Sequence, residues 1–122
     1  MENTSLGFKQ VKAVALAVTD MARARRFYGE TLGLPPASEG GEQVGHQLGD
    51  MVLMLKDDWY GRPTDTPNPR LTIETDDARK TEQALRDRGV VISDPIERYD
   101  DYLVGGFLDS EGNKLWYCSA AS

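Results

Sequence analysis

The residues able to do chemistry in this chain are few and scattered. It has one histidine, His46, and one cysteine, Cys118. A single cysteine excludes an internal disulfide and any zinc site built on cysteines, and its place in a late apolar run predicts a buried, inert thiol. No Gly-x-Ser-x-Gly elbow, Cys–His pair or phosphate-binding loop occurs in the sequence. General acid–base catalysis would have to rest on Glu74, His46 or a tyrosine, and none has a visible partner. His46 has only Gln47 and Asp50 close by, and a lone strand histidine is more often a surface or core residue than a ligand. Glu74 could meet Asp109, but two carboxylates without an imidazole bind a metal weakly. No catalytic residue and no cofactor is therefore expected.

Aromatic residues are better candidates for binding. Trp59 and Tyr60 sit side by side, Tyr99 and Tyr102 lie close together in expected loops, and Trp116 is in the last apolar run. Rings in loops can close over a flat ligand, each stacked pair adding roughly 0.5–1.5 kcal/mol beyond burial. Trp59 and Tyr60 could equally fill a contact between two copies of the chain.

Composition narrows the partners. A formal charge of −6 argues against nucleic acid, where a basic stripe is the expected footprint. Acidity of this size also keeps a small domain dispersed. Met1 to Gln10 has no apolar signal core, and no run reaches the length of a membrane span. A soluble, cytoplasmic protein without membrane or nucleic-acid partners is expected.

The elements that must position these residues are written twice. Thr19-Asp20-Met21-Ala22-Arg23 is followed after nine residues by Gly33, and Thr75-Asp76-Asp77-Ala78-Arg79 after nine by Gly89. The copies are 56 positions apart in a chain of 122. Such internal repetition governs the fold. Val14, Leu16 and Val18 alternate with Ala13, Ala15 and Ala17, which predicts a strand with one bulky and one small face. Asp20 or Thr19 caps a helix to about Leu32, with Ala24, Phe27, Tyr28 and Leu32 inward. Gly33 stops it, and Pro35-Pro36 forbids its continuation.

Short strands are expected at 43–48 and 51–55 around a turn at Gly49-Asp50, with a weaker one at 34–38. Leu71, Ile73 and Thr75 face one way and Arg70, Thr72 and Glu74 the other. Asp77 caps a second helix carrying Ala78, Thr81 and Leu85, which ends at Gly89. Strands at 90–93, about 103–108 and 114–118 follow, with Asp109 to Asn113 as the last turn. The expected organisation is one domain over 1–122: a first module at about 8–56, a linker at about 57–69 and a second module at about 70–119. Modules of this size are marginal alone, so a homodimer is expected.

β-α-β-β-β written twice resembles the vicinal-oxygen-chelate superfamily. Val18-x-Asp20 before the first helix, Phe27-Tyr28-x-x-x-Leu32-Gly33-Leu34 at its end and Asp109-x-x-Gly112-Asn113 before the last strand carry the likeness. That group includes glyoxalase I, extradiol dioxygenases, fosfomycin-resistance enzymes and the bleomycin-resistance proteins. The resemblance implies an α+β fold: two tandem modules forming a curved mixed sheet, with helices on its convex face. It also implies a divalent metal on the concave face of the enzymes. At the four ligand positions this chain has Ala13, Met54, Arg70 and Trp116, which cannot make a hard oxygen and nitrogen site.

A pocket with small residues on one wall and Met54, Arg70 and Trp116 opposite suits a flat or apolar organic molecule. Arg70 and Glu74 could instead pair with neighbours such as Lys114, and Trp116 could be ordinary core. The reading that follows is metal-independent binding, similar to the drug-sequestering bleomycin-resistance branch. Trp116, Arg70, Met54, Trp59, Tyr60, Glu74, Tyr102 and His46 are its candidate contacts, and the expected partner is a small organic ligand. The alternative is a lyase, isomerase or dioxygenase of the same superfamily with a nonstandard site.

Overall fold

The computed structural model describes residues 6, 7, 9–58 and 61–121. Eight strands and two helices are described, in the order β1 (Ala13–Ala17), α1 (Met21–Arg26), β2 (Pro36–Glu39), β3 (Glu42–Leu48), β4 (Met51–Lys56), β5 (Thr72–Glu74), α2 (Ala78–Asp87), β6 (Ile92–Tyr99), β7 (Tyr102–Leu108) and β8 (Lys114–Ala120). They form two four-stranded mixed sheets of the same topology, β1-β4-β3-β2 and β5-β8-β7-β6. In each, the strand before the helix pairs in parallel with the last strand of its half. The α+β fold with a repeated unit is thus present.

Both helices start on the aspartates read from the sequence. Asp20 is extended and its carboxylate accepts from the Arg23 N–H at 3.0 Å. Asp77 is extended and accepts from the N–H groups of Arg79 and Lys80 at 3.1 and 3.2 Å. A carboxylate there satisfies N–H groups that have no partner within the helix. Gly33 and Gly89, both at φ 75°, end the two segments, a left-handed turn that a side chain would strain.

Helix α1 is shorter than its capping predicted. After Arg26 the chain widens into a π-helical turn at Phe27–Thr31, closed by the Leu32 N–H on the Phe27 carbonyl at 2.9 Å. The wider turn lets two consecutive rings, Phe27 and Tyr28, both bury. Their centroids are 5.2 Å apart, edge to face.

The core lies between each helix and its sheet. Val14, Leu16, Leu53 and Leu55 form the layer beside α1; Leu103, Phe107, Leu115 and Tyr117 form the layer with Ala78 and Leu85 of α2. Alternation sends the intervening residues to the opposite, helix-free face of each sheet. That open face carries Ala13, Val52 and Met54 in the first sheet and Val104, Trp116 and Cys118 in the second.

Strand β6 runs far beyond the expected 90–93. Pro95 and the charged stretch around it read as loop, yet β6 is the edge of its sheet, where a missing N–H costs little. Register shifts at Ile92/Asp94 and Asp94/Glu97 absorb the irregularity.

The halves are joined through the last hairpin. Tyr28 Oη donates to Asp109 Oδ2 at 2.7 Å, and Asn113 Nδ2 donates to the Ala17 carbonyl at 2.8 Å and to Asp109 Oδ2 at 3.1 Å. Asp109 Oδ1 accepts from the N–H groups of Glu111 and Asn113, each at 2.8 Å. All three side chains of this buried knot are satisfied, as burial demands. Burial, then the charge of Asp109 and the bond to it, hold the Tyr28 phenol well above its ordinary pKa.

Candidate functional site

Strand β8 builds the open face of the second sheet. Leu115, Tyr117 and Ser119 point into the helix side and are buried, while Lys114, Trp116 and Cys118 alternate onto the other side and are only partly buried. Arg70, just before β5, reaches across from the neighbouring strand, whose Thr72 stands in register with Trp116. Its guanidinium carbon lies 4.1 Å from the centroid of the Trp116 ring system. Lys114 Nζ is 4.9 Å from the same ring. Cation–π contacts at exposed sites contribute about 0.5–1 kcal/mol each. They also fix where the two cations stand.

The two cations differ in what else they touch. Lys114 Nζ pairs with Asp94 Oδ1 at 2.9 Å. The bond from Lys114, together with Ser93, outweighs burial and holds the Asp94 carboxyl below its usual range. Arg70 is exposed, and among the described residues no hydrogen bond or ion pair engages its guanidinium. The alternative that Arg70 and Glu74 ion-pair with neighbours such as Lys114 is not what the fold builds among the described residues: the partner of Lys114 is Asp94.

Around this stack the surface is hollowed. A groove of about 480 Å³ is lined by Arg70, Thr72, Tyr99, Asp100, Asp101, Tyr102, Val104 and Cys118. A smaller hollow of about 120 Å³ lies on the other side, against Asp94, Pro95, Glu97 and Trp116. Tyr102 is therefore not in a loop, as its neighbours suggested, but opens β7. Tyr99 closes β6, and the two face each other in register across a tight turn in which Asp100 has φ 52°. Both rings are more than half exposed. Cys118, expected buried, is only partly buried, on the groove wall.

Other candidates lie elsewhere. Met54 is on the open face of the first sheet, in a hollow of about 120 Å³ with Ala13, Val44 and Val52. Glu74, exposed at the end of β5, borders a cavity of about 300 Å³ at the junction of the halves, with Leu32, Leu34, Leu48 and Arg88. Trp59 and Tyr60 lie outside the described residues. His46 is on the wrong side for the open face. It stands in register with the buried Leu53, is 2 % exposed, and has its ring 6.0 Å from that of Tyr28. Its Nδ1 is 3.3 Å from the Leu34 carbonyl, and a Cβ at Gly29 would come within 3.2 Å of it. It is a core residue beneath the π turn.

A divalent metal does not fit the positions where the resembling enzymes hold one. Ala13 and Met54 stand on one open face and Arg70 and Trp116 on the other. Arg70 is a permanent cation and donates only, and its guanidinium is already stacked on the indole. Among the described residues, no three His, Cys, Asp or Glu side chains come close enough to hold a metal. Sequence reasoning missed Asp94, which lay in the stretch read as loop. Lys114, two residues before Trp116, was legible as its same-face neighbour.

The repeated fold and the open-faced sheets define a class, and the sequence places the chain within it. Residues 10–117 match the Glyoxalase/Bleomycin resistance protein/Dioxygenase superfamily, and the chain belongs to that family. A comparison with curated proteins gives no match. Among solved structures it is similar to TnmS3, an antibiotic binding protein from Streptomyces sp. CB03234, with a TM-score of 0.76 at 22% identity, covering 96% of this chain and 100% of that one. It is also similar to lactoylglutathione lyase from Agrobacterium tumefaciens, with a TM-score of 0.72 at 17% identity, covering 92% of this chain and 94% of that one. No helix among the described residues is long and apolar enough to cross a membrane.

Proposed function

We propose that the protein binds a small, flat aromatic or apolar organic molecule without a metal, and withholds it from solution in the cytoplasm. The Arg70–Trp116 stack carries this reading. It puts a planar cation on the wall of an open groove and an indole on the wall of the smaller hollow beside it, at two positions where the resemblance implies metal ligands in the family's enzymes. Exposed Tyr99 and Tyr102 on the rim offer further ring surface. The likeness to an antibiotic binding protein points the same way.

The binding unit in this reading is a homodimer. Each open sheet face of one chain is a shallow half-site, and an apolar ligand is normally enclosed over most of its surface. A second copy laid over these faces would supply the other wall.

Fluorescence tests the binding. In a Trp59→Phe background Trp116 is the only tryptophan, and neutral probes such as 2-naphthalenemethanol and 9-anthracenemethanol are expected to quench its emission saturably. Trp116→Ala, followed by calorimetry, is expected to weaken their binding by about 1–3 kcal/mol through lost stacking and burial. A variant that keeps full affinity, or that unfolds at the cost of about 3–5 kcal/mol expected of a core ring, would assign Trp116 to the fold instead.

A further inference from the structure

The groove carries information about the charge of what it holds. We propose that the ligand bears an anionic group, a carboxylate or its like, next to its flat ring, and that Arg70 receives that group. The inference rests on the aromatic-binding reading and adds the charge class of the ligand to it.

The argument turns on which cation is spent. Lys114 and Arg70 both stand against Trp116, but Lys114 is neutralised by Asp94 at 2.9 Å. The charge of Arg70 also reaches Asp94, but among the described residues its guanidinium makes no hydrogen bond or ion pair and touches only the indole. A guanidinium that stacks uses its flat face, which leaves its rim of N–H donors for a second partner. That rim matches a carboxylate with two parallel hydrogen bonds. A ring joined to a carboxylate would then extend the guanidinium–indole stack while its charge met the donors.

The acidic rim argues for the opposite class. Glu97, Asp100 and Asp101 border the two hollows, and the whole chain is acidic. These charges are exposed, so water weakens their pull within the groove and salt removes it beyond about 8–10 Å. Glu97 also already accepts from Tyr99 Oη at 2.9 Å. A fixed donor in contact with the ligand outweighs a screened field at the rim.

Three probes with one ring system separate the possibilities: 2-naphthoate, 2-naphthalenemethanol and 2-naphthylmethylammonium. Binding is followed by calorimetry and by the indole Nε1–H resonance of Trp116 in the Trp59→Phe chain. Naphthoate is expected to bind about 10-fold or more tighter than the alcohol, the range of a charge-assisted hydrogen-bonded pair. Arg70→Gln is expected to bring that ratio close to one, and Arg70→Lys to restore part of it. Arg70 is exposed, so Arg70→Lys, which keeps a cation over the indole, should melt with the wild type, and Arg70→Gln should fall by no more than a few degrees through the lost cation–π contact. Tightest binding of the ammonium probe, or a naphthoate preference that survives Arg70→Gln, would overturn the proposal. Equal binding of all three would overturn it while leaving aromatic binding intact. No binding by any of them would sink both.

Discussion

The Glu111 carboxylate in the last hairpin lies 2.7 Å from Nε of Arg23 at the start of the first helix, 88 residues earlier in the chain. The Glu111 side chain is fully covered. It also accepts from the N–H groups of Thr19 and Asp20, each at 2.8 Å, and from the Thr19 hydroxyl at 2.9 Å. One half of the molecule thus caps the helix of the other. Burial alone would raise the pKa of this carboxyl, but the bonds from Arg23, Asp20 and Thr19 prevail and lower it to about 2.

A lowered pKa in the folded state stabilises the protein wherever the carboxylate is charged. The contribution is complete above the ordinary value of 4.5 and is lost as pH falls toward 2. Glu111→Gln is expected to cost about 1–3 kcal/mol at pH 7, because two backbone N–H groups and a cation lose an ionised acceptor. Thermal melts of the two proteins should converge between about pH 5 and 2. A gap that stays constant over that range would mean that Glu111 carries no such charge.

Tyr28 and Asp109 make another tie between the halves. Tyr28→Phe leaves the ring packing intact and removes one donor from a buried carboxylate. A cost of about 1.5–3 kcal/mol is expected, since hydrogen bonds to charged groups lie in that range. In a domain of this size that is a fall of several degrees in Tm, measurable by calorimetry. An unchanged Tm would show that Asn113 and the backbone N–H groups satisfy Asp109 unaided.

Chelation is expected to leave stability untouched. A metal held at 100–1,000 times its dissociation constant contributes about 3–4 kcal/mol, and that would disappear with EDTA. Elemental analysis of the purified protein should find no stoichiometric Ni, Mn, Fe or Zn. A chelator-induced fall of several degrees would place ligands where none are read.

The dimer is checked by sedimentation velocity. At micromolar concentration the expected species has twice the chain mass of 13.5 kDa. A single species of 13.5 kDa would mean that the open faces serve without a partner copy.

Much of the fold was legible in the sequence because its signals are local. Asp20 and Asp77 cap, Gly33 and Gly89 stop, and alternation in Val14–Val18 and Leu71–Thr75 assigns a strand and two faces. Each depends on residues within one turn or one pleat of each other. Trp116 and Arg70 were put on a common face only through the resemblance, since alternation assigns faces within a strand and not between strands.

What only the tertiary structure decided depends on strand order and on charge partners far apart in the chain. His46 belongs to the core because β3 sets it beside Leu53 under the π turn, and no local pattern announces that turn. Pro95 is tolerated because β6 is an edge, and edges exist only once the sheet is assembled. Asp94 neutralises Lys114 and leaves Arg70 with the indole. That choice between two cations is made by the register of β6, β7 and β8, because a sequence states which charges are present but not which of them come within 3 or 4 Å.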